Sequence, residues 1–180
     1  MSQEILRVLR ETRKVKTALK EIIVCLYDEE AFKIFDKQVF GYLRHVTEDL
    51  SWGPYVTTDI IIEMPVGIVL IERTNPPFGW ALPGGFVDFG ESLEAAARRE
   101  AKEETNLDLV DLKQFHTYSE PLRDPRFHTI ATVFSAKGEG SAKAGDDAKG
   151  LKIVPVSELS SLRYAFDHNQ VIEDYLKSRG

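Results

Sequence analysis

The chain has 180 residues, 43% of them hydrophobic, with a formal net charge of −6. That is enough apolar material for one real core, and the acidic balance argues against a protein that grips nucleic acid by general electrostatics. One cysteine, Cys25, excludes an intrachain disulfide and a standard zinc site, and is expected to be a buried structural thiol in a reducing compartment. No stretch approaches the roughly 20 apolar residues of a membrane span, and the charged start MSQEILRVLRETRKVK lacks the apolar centre of a signal peptide, so a cytoplasmic protein is expected.

Residues 1–54 read as an N-terminal helical extension. Ile5, Val8, Thr12, Val15, Leu19, Ile22 and Leu26 step by three and four, which predicts a helix with an apolar seam. Asp28 is placed to cap a second helix, where Phe32, Phe35, Val39, Leu43 and Val46 repeat the stepping until Gly53 and Pro54 stop it. A helical hairpin satisfies both seams; a homodimer would satisfy the first equally well. The basic residues from Arg7 to Lys20 are expected to form a solvated face rather than a binding surface.

Residues 55–180 form the second expected domain. VTTDIIIEM and VGIVLIER, separated by Pro65, are β-branched runs and predict strands. A turn at NPPFG and a short segment WALPGGFVDFG lead to Ser92, which can cap a helix that Asn106 ends in the left-handed conformation. Strands are expected near 109–118, 127–136 and 151–156, with a long polar loop, KGEGSAKAGDDAKG, between the last two. Asp167 can cap a final helix that turns Val171, Ile172 and Tyr175 inward. Alternating strands and helices give an α/β layered domain.

The helix after Ser92 is poorly built as a free helix. Glu100, Glu103 and Glu104 stand at i, i+3 and i+4, and two of them occupy the last turn, where the helix dipole favours cations. A carboxylate cluster of this kind makes physical sense when hard cations sit against it, because Mg²⁺ is held by a few carboxylates, waters and substrate phosphates. Glycines in the loop Gly84–Gly90 let backbone approach a ligand closely, and Arg99 can pair with Glu91 to fix that loop to the helix.

Gly85, Glu91 after five residues, Arg99 and Glu100 after seven more, then Glu103 and Glu104, resemble the box of the Nudix hydrolases. Six specified residues match by chance with a probability on the order of 10⁻⁷ per start position. Asn106 replaces the family's glycine and Ala101 its larger aliphatic residue; neither change removes a chemical group. GWALPGGFVDFGE, RDPRFH, GDDAKGLKIVPVSEL and AFDHNQVI are similar to the branch that contains ADP-ribose pyrophosphatases, over roughly residues 56–180. The resemblance implies an α/β/α sandwich with a mixed β-sheet. It also implies metal-dependent cleavage of a small-molecule nucleotide, ADP-ribose or a related nucleotide sugar, to a nucleoside monophosphate and a sugar phosphate. Alternatives are a nucleoside-triphosphate sanitiser of the same fold and a sensing module that binds ADP-ribose without cleaving it.

On that resemblance, Glu100, Glu104 and the carbonyl of Gly84 are expected to hold Mg²⁺, or Mn²⁺ in its place, with Glu103 as a third ligand or the group that orients the attacking water. Asp147 is the candidate general base, with Asp146, Glu120 and Glu139 behind it. Arg73, Arg123 and Arg126 suit phosphate or ribose contacts, since guanidinium binds phosphate in a bidentate manner. Trp80, Phe78, Tyr118 and Phe127 are candidates to stack on a base. His128 is expected to make a structural hydrogen bond, and His168 is assigned no chemistry. Neither a membrane nor a nucleic acid is an expected partner.

Overall fold

The computed structural model describes residues 23, 25–36, 53–144 and 148–180. The chain divides into two compact units, residues 1–52 and Gly53–Gly180. Within the first, helix α1 spans Glu29–Phe35, and Asp28 caps it by accepting the Ala31 N–H at 2.8 Å. Leu26, the last residue of the expected first seam, precedes α1 in non-helical backbone. The rest of that seam, and Val39, Leu43 and Val46, lie outside the described residues. Cys25 is exposed rather than buried, with Ile23 and Tyr27 beside it also exposed, because this segment belongs to no helix or strand that could turn a face inward.

The second unit is built on one mixed sheet. Its strands are β1 (Tyr55–Met64), β2 (Gly67–Arg73), β3 (Trp80–Ala81), β4 (Gly84–Phe86), β5 (Asp108–Tyr118), β6 (Thr129–Glu139) and β7 (Ala148–Val154). The order β3-β2-β1-β6-β5 carries β4 on β1 and β7 on β2. β1 and β6 run parallel in unbroken register from Tyr55↔Thr129 to Glu63↔Lys137, and the other pairs are antiparallel.

Both faces of the central strands are covered, which explains why their sequences are continuous apolar runs rather than alternating ones. Ile60, Ile62, Val69 and Phe134 pack on one side with Ala97, Ala101 and Leu107. Their neighbours Ile61, Leu70 and Val133 point the other way, onto Leu159, Val171, Ile172 and Tyr175. The first layer is helix α2 (Leu93–Thr105); the second is the 3₁₀ turn Val156–Ser161 with helix α3 (His168–Arg179). The result is the expected sandwich.

α2 begins where Ser92 accepts the Ala95 N–H at 3.2 Å and ends at Asn106, whose φ of 58° is left-handed. Ala96, Ala97 and Ala101 are fully buried, so the helix axis lies close to the sheet and its glutamates come down onto β4. Three boundaries differ from expectation. β6 continues to Glu139 and β7 starts at Ala148, so sheet pairing absorbs both ends of the expected long loop. Val156 belongs to the 3₁₀ turn rather than to a strand. Asp167 precedes α3 but makes no capping bond, because its carboxylate is taken by Arg123.

The Ser92 cap sets the start of the glutamate-bearing helix. Ser92→Ala is expected to lower the unfolding free energy by about 1 kcal/mol in a urea titration, and Ser92→Asp, which keeps the acceptor, to leave it unchanged.

Candidate active site

The short strand β4 holds two glycines against β1. Gly84 pairs with Asp59 and Gly85 with Thr58. A Cβ at Gly84 would stand 2.1 Å from the Thr58 carbonyl oxygen, and one at Gly85 would stand 2.4 Å from Oε1 of Glu100. The space a methyl group would fill at residue 85 is therefore occupied by a carboxylate from α2. One turn further on, Glu104 Oε2 accepts the Gly84 N–H at 2.8 Å. Two of the three crowded glutamates are thus docked on the glycine loop, while Glu103 has a side chain 60% exposed.

Arg99 binds the loop to the helix. Its Nε and Nη2 donate to the two oxygens of Glu91, each at 3.0 Å, and Nη2 also donates to the Phe86 carbonyl at 3.0 Å. Nη1 donates to Glu100 at 2.7 Å and to Glu103 at 3.2 Å. These bonds, first with Glu91 and then with Glu100, hold the guanidinium charge firmly in place.

The electrostatics of the floor are those of a place short of positive charge. Burial pushes the Glu104 carboxyl up to about 8; the Gly84 N–H opposes this, and the charges of Glu100 and Asp59 add to it. Burial also raises Glu100, against the pull of Arg99. Asp59 is buried, which by itself would raise it, but His168 and Arg123 hold it below the ordinary aspartate value. Its Oδ2 still accepts no hydrogen bond, with Arg123 Nη2 and His168 Nε2 each 3.6 Å away.

Among the described residues, no three His, Cys, Asp or Glu side chains converge into a ligand set complete in itself. A hard cation does not need one, since Mg²⁺ takes one or two carboxylates and fills its octahedron with water and phosphate oxygen. The glycine cradle under Glu100, the buried carboxyl of Glu104 and the orphaned oxygen of Asp59 fit such an ion.

A cleft of about 320 Å³ opens over this floor, lined by Asp59, Gly84, Gly85, Glu100, Arg73 and Arg126 among others. Glu103 and Glu104 do not line it: one lies outside on the helix, the other behind Gly84. Arg73 is held by the Pro77 carbonyl at 3.0 Å, and Arg126 by both oxygens of Asp124 at 3.0 and 2.8 Å. The third expected phosphate contact, Arg123, lines the cleft with a side chain only 5% exposed. It donates to both oxygens of Asp167 at 2.9 and 2.7 Å and to Thr129 at 3.3 Å, which makes it a brace in the wall.

Trp80 is not in the cleft. Its ring packs against the α3-side core with Lys152 Nζ 4.8 Å above it. Tyr118 likewise packs on that core and donates its hydroxyl to Asp174 at 3.1 Å. Phe78 is exposed and outside the cleft, and Phe127 forms an exposed cluster with Tyr55 and Phe86. Glu120 and Glu139 are exposed and do not line the cleft; Asp146 and Asp147 lie outside the described residues. His128 meets the Ser119 carbonyl at 3.3 Å, a structural contact.

Among the cleft residues given no chemical role from the sequence are Asp59, Asp124, Phe166 and His168. His168 is buried, and its Nδ1 accepts the Leu82 N–H at 2.9 Å, so a neutral ring carries its proton on Nε2, towards Asp59. Asp59 did carry a signal, as a charge inside the apolar run TTDIIIEM. Phe166 carried none, since its φ of 54° is invisible in the sequence.

Comparison with known proteins gives consistent results. The description of the NUDIX domain matches residues 53–175. An ADP-ribose pyrophosphatase of Methanocaldococcus jannaschii is 46% identical over 157 residues, covering 81% of this chain and 92% of that protein. An ADPR-responsive transcriptional repressor, NtrR, of Acinetobacter baylyi is 31% identical over 131 residues, covering 67% of this chain and 52% of the repressor. Among solved structures, the NUDIX domain of Shewanella oneidensis NrtR in complex with ADP ribose superposes with a TM-score of 0.68 at 25% identity, covering 78% of this chain and 98% of that one. A MutT/nudix family protein of Enterococcus faecalis superposes with a TM-score of 0.64 at 27% identity, covering 82% and 73% of the two chains.

The brace and the exposed glutamate are expected to behave oppositely under substitution. Asp167→Ala leaves Arg123 buried without its bidentate partner and is expected to cost about 3 kcal/mol in a urea titration. Glu103→Gln removes an exposed charge and is expected to change stability by less than about 0.5 kcal/mol.

Proposed function

The chain belongs to the NUDIX family and is a Nudix hydrolase, and from that premise we propose that it cleaves the diphosphate of ADP-ribose, or of a related nucleotide sugar, to a nucleoside monophosphate and a sugar phosphate. The observation that carries this reading is the docking of Glu100 against Gly85 at the floor of a cleft whose wall presents Arg73 and Arg126, with Glu104 held on the Gly84 N–H just behind that floor. One end of such a cleft suits a cation and the other an anion, as a metal-bound diphosphate requires. The substrate is suggested by the M. jannaschii relative, an ADP-ribose pyrophosphatase, and by the ADP ribose in the S. oneidensis complex.

Glu100, Glu104 and the Gly84 carbonyl would hold the cation, Mg²⁺ or Mn²⁺. Bound there, the cation lowers the pKa of a coordinated water and neutralises charge that develops on the diphosphate. The chain's own groups do the rest. Arg73 and Arg126 bind and orient the phosphates through their guanidinium donors. Arg99 holds Glu100 in place over Gly85. Glu103, open to solvent on the helix beside the cleft, would be a third ligand or the group that orients the attacking water. Asp147 remains the proposed general base on the sequence alone. The sensor alternative would be favoured by missing box glutamates, and all three are present.

The test is product analysis with ADP-ribose and Mg²⁺, beside nucleotide-sugar and nucleoside-triphosphate substrates, with and without EDTA. AMP and ribose 5-phosphate are expected from ADP-ribose in preference to the others, with no turnover in EDTA. Preference for a triphosphate would replace the substrate, and binding of ADP-ribose without cleavage would favour a sensor. Glu103→Gln is expected to reduce kcat by on the order of 10²–10⁴-fold while the far-UV spectrum is unchanged.

A further inference from the structure

Phe166 is the last residue before the Asp167–His168 pair, and its backbone is in the left-handed region at φ 54°. Glycine, asparagine and aspartate populate that region; a bulky aromatic is an outlier there. The cause is local. Ala165 N–H donates to the Trp80 carbonyl at 2.9 Å on one side of it. On the other side Asp167 is fixed by Arg123 and His168 by the Leu82 N–H, so the chain must turn sharply at residue 166.

The ring this turn projects lines the cleft. The Arg73 guanidinium carbon lies 4.7 Å from the ring centroid and that of Arg126 lies 5.1 Å from it, with the His168 ring at 5.3 Å. Two guanidiniums around one ring repel each other. Asp124 compensates Arg126, whereas Arg73 has carbonyl partners, Pro77 and Pro76, and no carboxylate ion pair among the described residues. Burial and the charge of Arg126 both disfavour the charge on Arg73. An anion between the two arginines completes the arrangement, and the electron-rich ring face holds them in position until it arrives.

We propose that Phe166 is a positioning residue that sets the placement of Arg73 and Arg126 for the diphosphate of the ligand. The inference rests on the proposed diphosphate chemistry of the cleft, and it explains why this chain keeps an aromatic where a smaller residue would fit the backbone with less strain. The ring also touches the small buried cluster of Ile71, Ala81 and Ala165, so a purely structural role is the competing account.

The two accounts separate in the kinetics. Turnover of ADP-ribose with Mg²⁺ is measured together with calorimetric binding of ADP for the wild type, Phe166→Tyr, Phe166→Leu, Arg73→Met and the Phe166→Leu/Arg73→Met double variant. Loss of two cation–π contacts predicts that Phe166→Leu raises KM and the ADP Kd about tenfold with kcat within about twofold, and that Phe166→Tyr stays within about twofold of the wild type in all three. On the Arg73→Met background, Phe166→Leu is expected to add markedly less than it does alone, because the contacts are shared. Phe166→Met carries the same comparison should Phe166→Leu fail to fold. The proposal is overturned by wild-type KM and Kd in Phe166→Leu, by a Phe166→Tyr as impaired as Phe166→Leu, or by full additivity with Arg73→Met. A wild-type protein that binds ADP without cleaving ADP-ribose would sink the hydrolase reading alone and leave the Kd series to decide the role of Phe166. One that neither binds ADP nor cleaves ADP-ribose would sink both.

Discussion

Everything at this site depends on two missing side chains. Because residues 84 and 85 have no Cβ, β4 can lie against β1 while the carboxylates of Glu100 and Glu104 come down onto its backbone. Burying carboxylates is costly, and like charges at helical spacing repel. The structure meets part of that cost with Arg99 and the Gly84 N–H, and leaves part of it unmet, as the raised Glu104 carboxyl and the unbonded Asp59 oxygen show. A divalent cation, as proposed for this site, would supply what is missing. The helix is therefore less stable as a helix than its composition allows, and better suited to a metal than to solvent.

The other wall of the cleft depends on three consecutive residues. Phe166, Asp167 and His168 meet Arg73 and Arg126, Arg123, and Leu82 respectively, so one short turn before α3 reaches three separate strands or loops of the sheet unit. Arg123 is buried, Asp167 is partly exposed, and the two make a bidentate pair whose value lies in fixing geometry more than in net stability. The cleft has acids on the α2 side and arginines on the α3 side, joined through Asp59, which faces both. That division suits the proposed binding of a cation and a diphosphate in one pocket.

Much of this was legible in the sequence, for identifiable reasons. Strand runs, the Ser92 cap and the Asn106 terminus are local features, and local rules recover them. The glutamates were legible because they violate helix preferences at a fixed spacing from glycines. What failed was long-range. Arg123 reads like any phosphate-binding arginine until Asp167, 44 residues away, is seen to occupy it, and that same pairing removes Asp167 from its expected capping role. Trp80 reads as a candidate to stack on a base, but the structure packs its ring on the core. Asp59 was hidden in an apolar strand and His168 behind a helix start, since their partners come from other elements. The candidate general base, Asp147, lies outside the described residues.

The central claim is that the glycine cradle makes the glutamates a cation site. It is tested most directly by titrating Mn²⁺ into the wild-type protein and into Gly85→Ala, with the free ion followed by electron paramagnetic resonance. The account predicts that the wild type binds Mn²⁺ and that Gly85→Ala binds it at least about tenfold more weakly, because the added methyl displaces the Glu100 carboxylate. Equal binding by the two proteins, in samples of equal folded fraction, would contradict it.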